Sequence, residues 1–214
     1  MKRRFFLTAV FSICALLLFM PTASHAKRGL PSYVVEKSYG DTNLGPKVLI
    51  AFATNYGTAY RVAEVIAEVL SNETCKVDLK FAKNVTESEL DDYDAVIVGS
   101  CIYIENFHAD ALSFFEKYQT KLASKKVAYY CVCGVLGMDM GGEEKTYAAG
   151  YITKIAASFP SLYPVATAPF AGAVDYKILT FKDWLLLHSM FMPRGNWTDY
   201  AEVVSWAYEV YGKL

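Results

Sequence analysis

The chain has 214 residues, 54% of them apolar, with 21 basic and 22 acidic side chains for a formal net charge of −1. That length suits one domain with a substantial core and leaves little room for two. The near-even charge and the lack of a long basic tract argue against nucleic acid as a partner.

Residues 1–26 read as an export signal: Lys2, Arg3 and Arg4 precede an apolar run from Phe5 to Met20 and a small-residue exit at Ser24, His25 and Ala26. Cleavage after Ala26 is expected, leaving 188 residues (214 minus 26) with 18 basic (21 minus 3) against 22 acidic side chains, a net charge of −4. The run falls short of the ~20 residues that span a bilayer and Pro21 breaks it, which makes a retained anchor the weaker reading. Arg3-Arg4-Phe5-Phe6-Leu7 fits the R-R-x-F-L pattern of twin-arginine signals, which export folded proteins and so allow a cofactor to be loaded first. The strongly apolar stretch from Ala15 to Met20 fits an ordinary secretory signal, and the sequence leaves both open. The expected location is the periplasm or cell envelope.

Residues 27–46, punctuated by Gly29, Pro31, Gly40, Gly45 and Pro46, read as a linker with a short extended piece at Tyr33, Val34 and Val35. The domain is expected to occupy 47–214. Val48 to Ala53 is a continuous apolar run, the pattern of a strand covered on both faces, and it feeds a glycine-containing turn. A helix follows over 59–70, with Val62, Ala63, Ile66, Ala67, Val69 and Leu70 at helical spacing and Glu64 and Glu68 facing away.

The unit then repeats: strand 76–81, a helical turn near Ser88, strand 95–100, helix 109–122, strand 127–133, a helix near 145–159, a strand near 165–173 and a helix near 200–211. Such alternation predicts an α/β fold with a parallel sheet covered by helices on both faces. Residues 175–198 are too many for an ordinary connection and hold a helix candidate over 178–192, ended by Pro193 and Gly195. It is too short to cross a membrane and carries Lys182, Asp183 and His188. It either lies on a bilayer surface, covers a hydrophobic substrate, or packs on the core as an ordinary amphipathic helix.

In an open α/β sheet, ligands gather at the carboxyl ends of the strands where the strand order reverses. Three loops lie at such ends. In the first, Thr54, Asn55, Tyr56, Gly57 and Thr58 offer hydroxyls, an amide and backbone N–H groups at a helix N-terminus, a set that suits a phosphate dianion, and Gly57 lets the backbone turn close to it. The same residues read equally as a helix cap at Thr54 or Asn55. The second loop, with Ser100, Cys101, Ile102, Tyr103 and Phe107, and the third, with Cys133, Gly134 and Gly137, have the aromatic and small residues that border a flat ring, or that simply pack.

These residues carry a resemblance. The turn from Thr54 to Ala59, Asp92-Tyr93-Asp94 leading into the strand through Tyr103, His108 ahead of a helix with Phe114 and Phe115, Gly172-Ala173, and the extra segment before Thr198-Asp199-Tyr200 resemble the flavodoxin superfamily. Within it they are most similar to the branch of quinone-dependent protoporphyrinogen dehydrogenases. The likeness spans about Lys47 to Tyr211. It implies a flavodoxin-like doubly wound five-stranded parallel sheet of order 2-1-3-4-5, FMN as cofactor, and a redox partner protein or a membrane quinone as partner. The chain departs from the family turn in having Ala59 where a threonine usually stands. It also has few cations near the second loop and in the extra segment, which leaves little countercharge for a propionate-bearing porphyrin.

Cys131 and Cys133, two apart on a strand, face one side, and in the flavodoxin order Cys101 ends the neighbouring strand. The three are expected to meet beside the ring, as a redox disulfide, a soft-metal site, or compact buried side chains. Cys75 has no evident partner. The function expected is an FMN-dependent redox protein, either a small electron carrier or a quinone-linked dehydrogenase. The alternative is a cofactor-free binding module that keeps the fold without the phosphate site.

Overall fold

The computed structural model describes residues 30–40 and 45–214; the export-signal reading lies outside the described residues. Strands β1 (Lys37–Tyr39), β2 (Lys47–Ala53), β3 (Lys76–Phe81), β4 (Ala95–Tyr103), β6 (Lys126–Cys133) and β7 (Ala166–Ala171) form one sheet in the order β1-β3-β2-β4-β6-β7. A short β5 (Asn106–Phe107) hairpins onto β4. The five strands from β3 to β7 are parallel, so the order 2-1-3-4-5 is present, and the reversal falls beside β2 and β4.

Helices α1 (Thr58–Asn72) and α6 (Tyr200–Tyr211) cover one face, while α3 (Ala109–Leu122) and α4 (Glu144–Ser158) cover the other. A single turn, α2 (Glu87–Leu90), follows β3 and a 3-10 turn at Ala82–Asn84. The apolar run in β2 explains the two layers. Val48, Ile50 and Phe52 pack in one cluster with Val62, Ile66 and Trp206, and the alternating Leu49, Ala51 and Ala53 pack in the other with Phe115, Tyr129 and Ile155. Burying each large side chain contributes about 1.5–3 kcal/mol at most.

The N-terminal segment departs from expectation. The extended piece is β1, four residues beyond Tyr33, and it pairs antiparallel with β3 through Lys37↔Leu79 and Tyr39↔Val77. Tyr33 instead stands in a turn closed by the Val34 N–H on the Pro31 carbonyl (2.9 Å), and Val34 enters the core. The reason is tertiary: Lys37, Ser38 and Tyr39 have no apolar pattern of their own, and the edge of β3 supplies their partners, with Ser38 donating to Asp78 at 2.5 Å. Residues 30–40 are therefore not only a linker.

The C-terminal half differs as well. The fifth parallel strand stops at Ala171, and β8 (Ala173–Val174) leaves the sheet to pair with β9 (Gly195–Asn196), closing the extra segment into a loop. Within it α5 is short, Phe181–Ser189, rather than 178–192. The Thr180 hydroxyl caps it by accepting the Asp183 N–H (3.3 Å), and Phe191, at φ 53, turns the chain away after it. Among the described residues no helix is long and apolar enough to cross a membrane.

Candidate functional site

The carboxyl ends of β2, β4 and β6 open into a cavity of about 390 Å³, within the usual ligand-pocket range of ~300–1,000 Å³. It brings together Thr54, Asn55, Tyr56, Thr58, Cys101, Ile102, Tyr103, Cys133 and Gly134 of the expected site. Its roof is the extra segment, which contributes Leu179, Asp183, Leu186 and Met192 among others. Leu179 and Leu186 are buried yet belong to neither core cluster, so α5 covers the cavity rather than the core.

At the first loop Gly57 takes φ 89, a left-handed conformation that disfavours any side chain, and its N–H donates to Thr54 Oγ1 at 3.0 Å. No side chain caps α1, which sets aside the capping reading of Thr54 and Asn55. The first-turn N–H groups point out of the helix toward its N-terminus, where the helix dipole favours an anion. From beneath, the buried Tyr130 hydroxyl donates to the Ala59 carbonyl at 2.9 Å. The Tyr130 ring reaches there by crossing Gly99, where a Cβ would collide with it.

Asn55 is held from the side. Its Oδ1 lies 3.0 Å from His108 Nε2, while His108 Nδ1 accepts the Asp110 N–H at 3.1 Å and caps α3. Because Nδ1 accepts, Nε2 carries the proton and donates to Asn55. Burial pushes the His108 pKa down, keeping the ring neutral in that tautomer.

The second loop is the hairpin turn between β4 and β5. Ile104 (φ 46) and Glu105 (φ 61) are both left-handed, the type I′ geometry in which Asn-Gly is normally preferred. Each such non-glycine residue costs of order 1–3 kcal/mol, so surrounding contacts must hold it. Glu105 is held by hydroxyls of Tyr147 (2.6 Å) and Tyr151 (3.3 Å), and burial, with the Glu105 charge, pushes the Tyr151 pKa up, so that it stays a donor.

Asp183 joins the roof to two loops. It is 9% exposed, and its carboxylate accepts from Tyr103 (2.7 Å), from Thr180 (2.9 Å) and, closely, from Tyr56. Burial raises the Tyr56 pKa and keeps that hydroxyl protonated. Three donors offset the cost of burying one carboxylate. The rings of Tyr56 and Tyr103 line the cavity, but their hydroxyls are committed to this link.

Three expected residues do not line the cavity. Ser100 is fully buried, its hydroxyl donating to the Cys101 carbonyl (2.9 Å) and accepting the His108 N–H (2.8 Å), which makes it a support of the loop. Gly137 packs against the Trp197 ring, so its role is to admit the end of the extra segment. Gly57 lies beneath Tyr33, so close that a Cβ added to it would stand only 2.6 Å from Tyr33 Oη.

The cysteines do not meet as expected. Ser100 pairs with Cys131 and Cys101 with Val132 across β4 and β6, so Cys101 points to the opposite sheet face from Cys131 and Cys133. All four described cysteines are free. Burial pushes the Cys101 thiol up to about 11, and the Cys131 thiol is raised by its hydrogen bond with Cys133 and by burial. Thiols held protonated are poor nucleophiles and poor metal ligands. Among the described residues no group of three His, Cys, Asp or Glu side chains is placed to hold a metal.

Sequence reasoning missed Tyr33, Glu105, Tyr147, Tyr151 and Asp183, all of which line the cavity. For Asp183 a signal was present, since Thr180-x-x-Asp183 ahead of an apolar run is a capping pattern.

Comparison with known proteins agrees with this architecture. The protoporphyrinogen IX dehydrogenase [quinone] of Escherichia coli is 24% identical over 173 residues, 77% of this chain and 94% of that protein. Oxidised flavodoxin 1 from Bacillus cereus superposes with a TM-score of 0.52 at 17% identity, covering 78% of this chain and 99% of the other. Two-electron reduced Megasphaera elsdenii flavodoxin does so with 0.51 at 16% identity and the same coverage. A profile of the flavodoxin domain matches residues 49–200, from β2 to the first residue of α6, and the chain therefore belongs to the flavodoxin-domain family.

Proposed function

We propose that the chain is an FMN-binding redox protein that passes electrons to a quinone. The observation that carries the reading is the uncapped N-terminus of α1 behind a left-handed Gly57, at one end of a cavity walled by the three loops beside the strand reversal. The residues fit the cofactor: Thr54, Asn55, Thr58 and the α1 backbone suit the phosphate, and Ile102, Tyr103 and Gly134 suit the ring. Bound FMN supplies the electron-transfer chemistry. The chain's own part is to orient the ring between the loops, to exclude water with the α5 roof, and to pin that roof through the Tyr56 and Tyr103 hydroxyls donating to Asp183.

The name of the Escherichia coli relative supports a quinone as acceptor. The charged residues lining the cavity are Glu105, Asp175 and Asp183, all acidic, which favours a neutral quinone over a propionate-bearing porphyrin as its second ligand. The outer face of α5 supports a quinone drawn from a bilayer. Phe181 (57% exposed) and Trp184 lie on it beside Lys182, and Phe191 (91% exposed) protrudes from the turn just after it, a pairing of aromatic and cationic groups that suits an anionic lipid surface. Export to the periplasm or cell envelope by the N-terminal signal completes the proposal, and cell fractionation tests it.

The decisive experiment is the absorption spectrum of the purified protein, with titration of added FMN by fluorescence quenching. A flavin band or tight quenching is expected. Colourless protein that quenches no FMN would leave the cofactor-free binding module as the reading. Anaerobic mixing of the reduced protein with a menaquinone analogue then separates a quinone-linked enzyme, which is reoxidised, from a carrier that reacts only with a protein partner.

A further inference from the structure

The phosphate end of the cavity has one wall from outside the family domain. Tyr33 precedes the matched residues 49–200, yet it lines the cavity with Thr54, Asn55, Tyr56 and Thr58. Its hydroxyl lies against Gly57, the residue whose left-handed turn opens the α1 N-terminus. Of the loop's own hydroxyls, that of Thr54 accepts the Gly57 N–H and keeps its proton to donate, Thr58 adds a second, and Ala59 brings none where the family turn usually has a threonine.

The arm that carries Tyr33 is fastened: Tyr33 stands inside the turn closed by the Val34 N–H on the Pro31 carbonyl, and Val34 is buried directly after it. The Glu36 carboxylate then accepts the Phe81 N–H (3.1 Å) and the Asn84 side-chain amide (2.9 Å), and β1 joins the sheet. The Arg61 guanidinium lies 3.9 Å from the centre of the Tyr33 ring. Arginine only donates hydrogen bonds, so it leaves the proton of the Tyr33 hydroxyl to be given elsewhere.

We propose that Tyr33 is a phosphate ligand, its hydroxyl donating to the phosphomonoester of the bound cofactor and standing in for the hydroxyl the loop lacks at Ala59. The assignment rests on the FMN reading above. Its ligand chemistry is a phosphate monoester on a flat ring system, and the hydroxyl recognises the phosphate alone.

The test titrates the purified full chain and its Tyr33→Phe variant with FMN and with riboflavin, which has the ring without the phosphate. Phenylalanine keeps the stack under Arg61, and matching circular dichroism and thermal midpoints confirm that the variant folds. Loss of a hydrogen bond to a charged group predicts an FMN dissociation constant raised roughly tenfold or more, with riboflavin binding unchanged. Unchanged or tighter FMN binding by the variant overturns the assignment while leaving the FMN reading intact, and equal weakening toward both ligands overturns it in favour of a packing role. If the wild-type chain binds no FMN, both fall together.

Discussion

The hydroxyl of Tyr103 donates to Oδ1 of Asp183 at 2.7 Å, across 80 residues of sequence, and fastens the roof of the cavity to the end of a central strand. The opposite carboxylate oxygen takes the Tyr56 hydroxyl, so a single side chain in the extra segment holds the first and second loops at once. Removing it leaves three hydroxyls without their acceptor.

Asp183→Ala is expected to destabilise the protein by about 2–3 kcal/mol, and Tyr103→Phe by about 1 kcal/mol. The loss should concentrate in the roof. Hydrogen exchange of the α5 amides reads this directly, and unchanged protection in Asp183→Ala would show that Asp183 does not hold the segment down.

Gly57→Ala places a Cβ at φ 89 and against Tyr33 Oη. A cost of about 1–2 kcal/mol in stability is expected, with FMN affinity falling at least about tenfold as the turn reshapes. Denaturant midpoints and FMN quenching measure the two. Equal affinity in variant and wild type would remove the phosphate role from this turn.

Acid should weaken the fold through His108. Its pKa is lowered in the folded state by burial, with Asp110 opposing the shift and Lys83 adding to it, so the unfolded chain binds the proton more readily. The stabilisation is fully present above the ordinary imidazole value of 6.5 and is lost as the pH falls toward the lower folded value. Denaturation of the protein without added FMN, between about pH 5 and about pH 8, checks this. His108→Asn keeps a capping side chain and should flatten the slope; an unaltered slope would assign the effect to another group.

Phe191→Ser combined with Phe181→Ser is expected to abolish most binding to vesicles containing phosphatidylglycerol, since each side chain inserted in the interface contributes up to about 1.5–3 kcal/mol. Trp184, on the same helix as Phe181, should shift its fluorescence to the blue when wild-type protein meets the vesicles. Wild-type protein that ignores vesicles and instead runs as a dimer through this face would refute the membrane reading.

The amino-acid sequence determined the parallel sheet, its helices and the position of the ligand end. A strand buried on both faces must be apolar throughout, as Val48 to Ala53 is, and the covering helices must show helical spacing, as Val62 to Leu70 does. The Thr54 to Thr58 turn was legible for the same local reason, since a glycine between hydroxyls ahead of a helix needs only neighbours in sequence. Tertiary structure alone decided that Lys37–Tyr39 is a strand, that Cys101 faces away from Cys131, and that Tyr33, Tyr56, Tyr103 and Asp183 converge. Edge pairing, sheet register and long-range hydrogen bonds each join groups far apart in the chain, and such pairings leave no periodic trace in either partner's own stretch of residues.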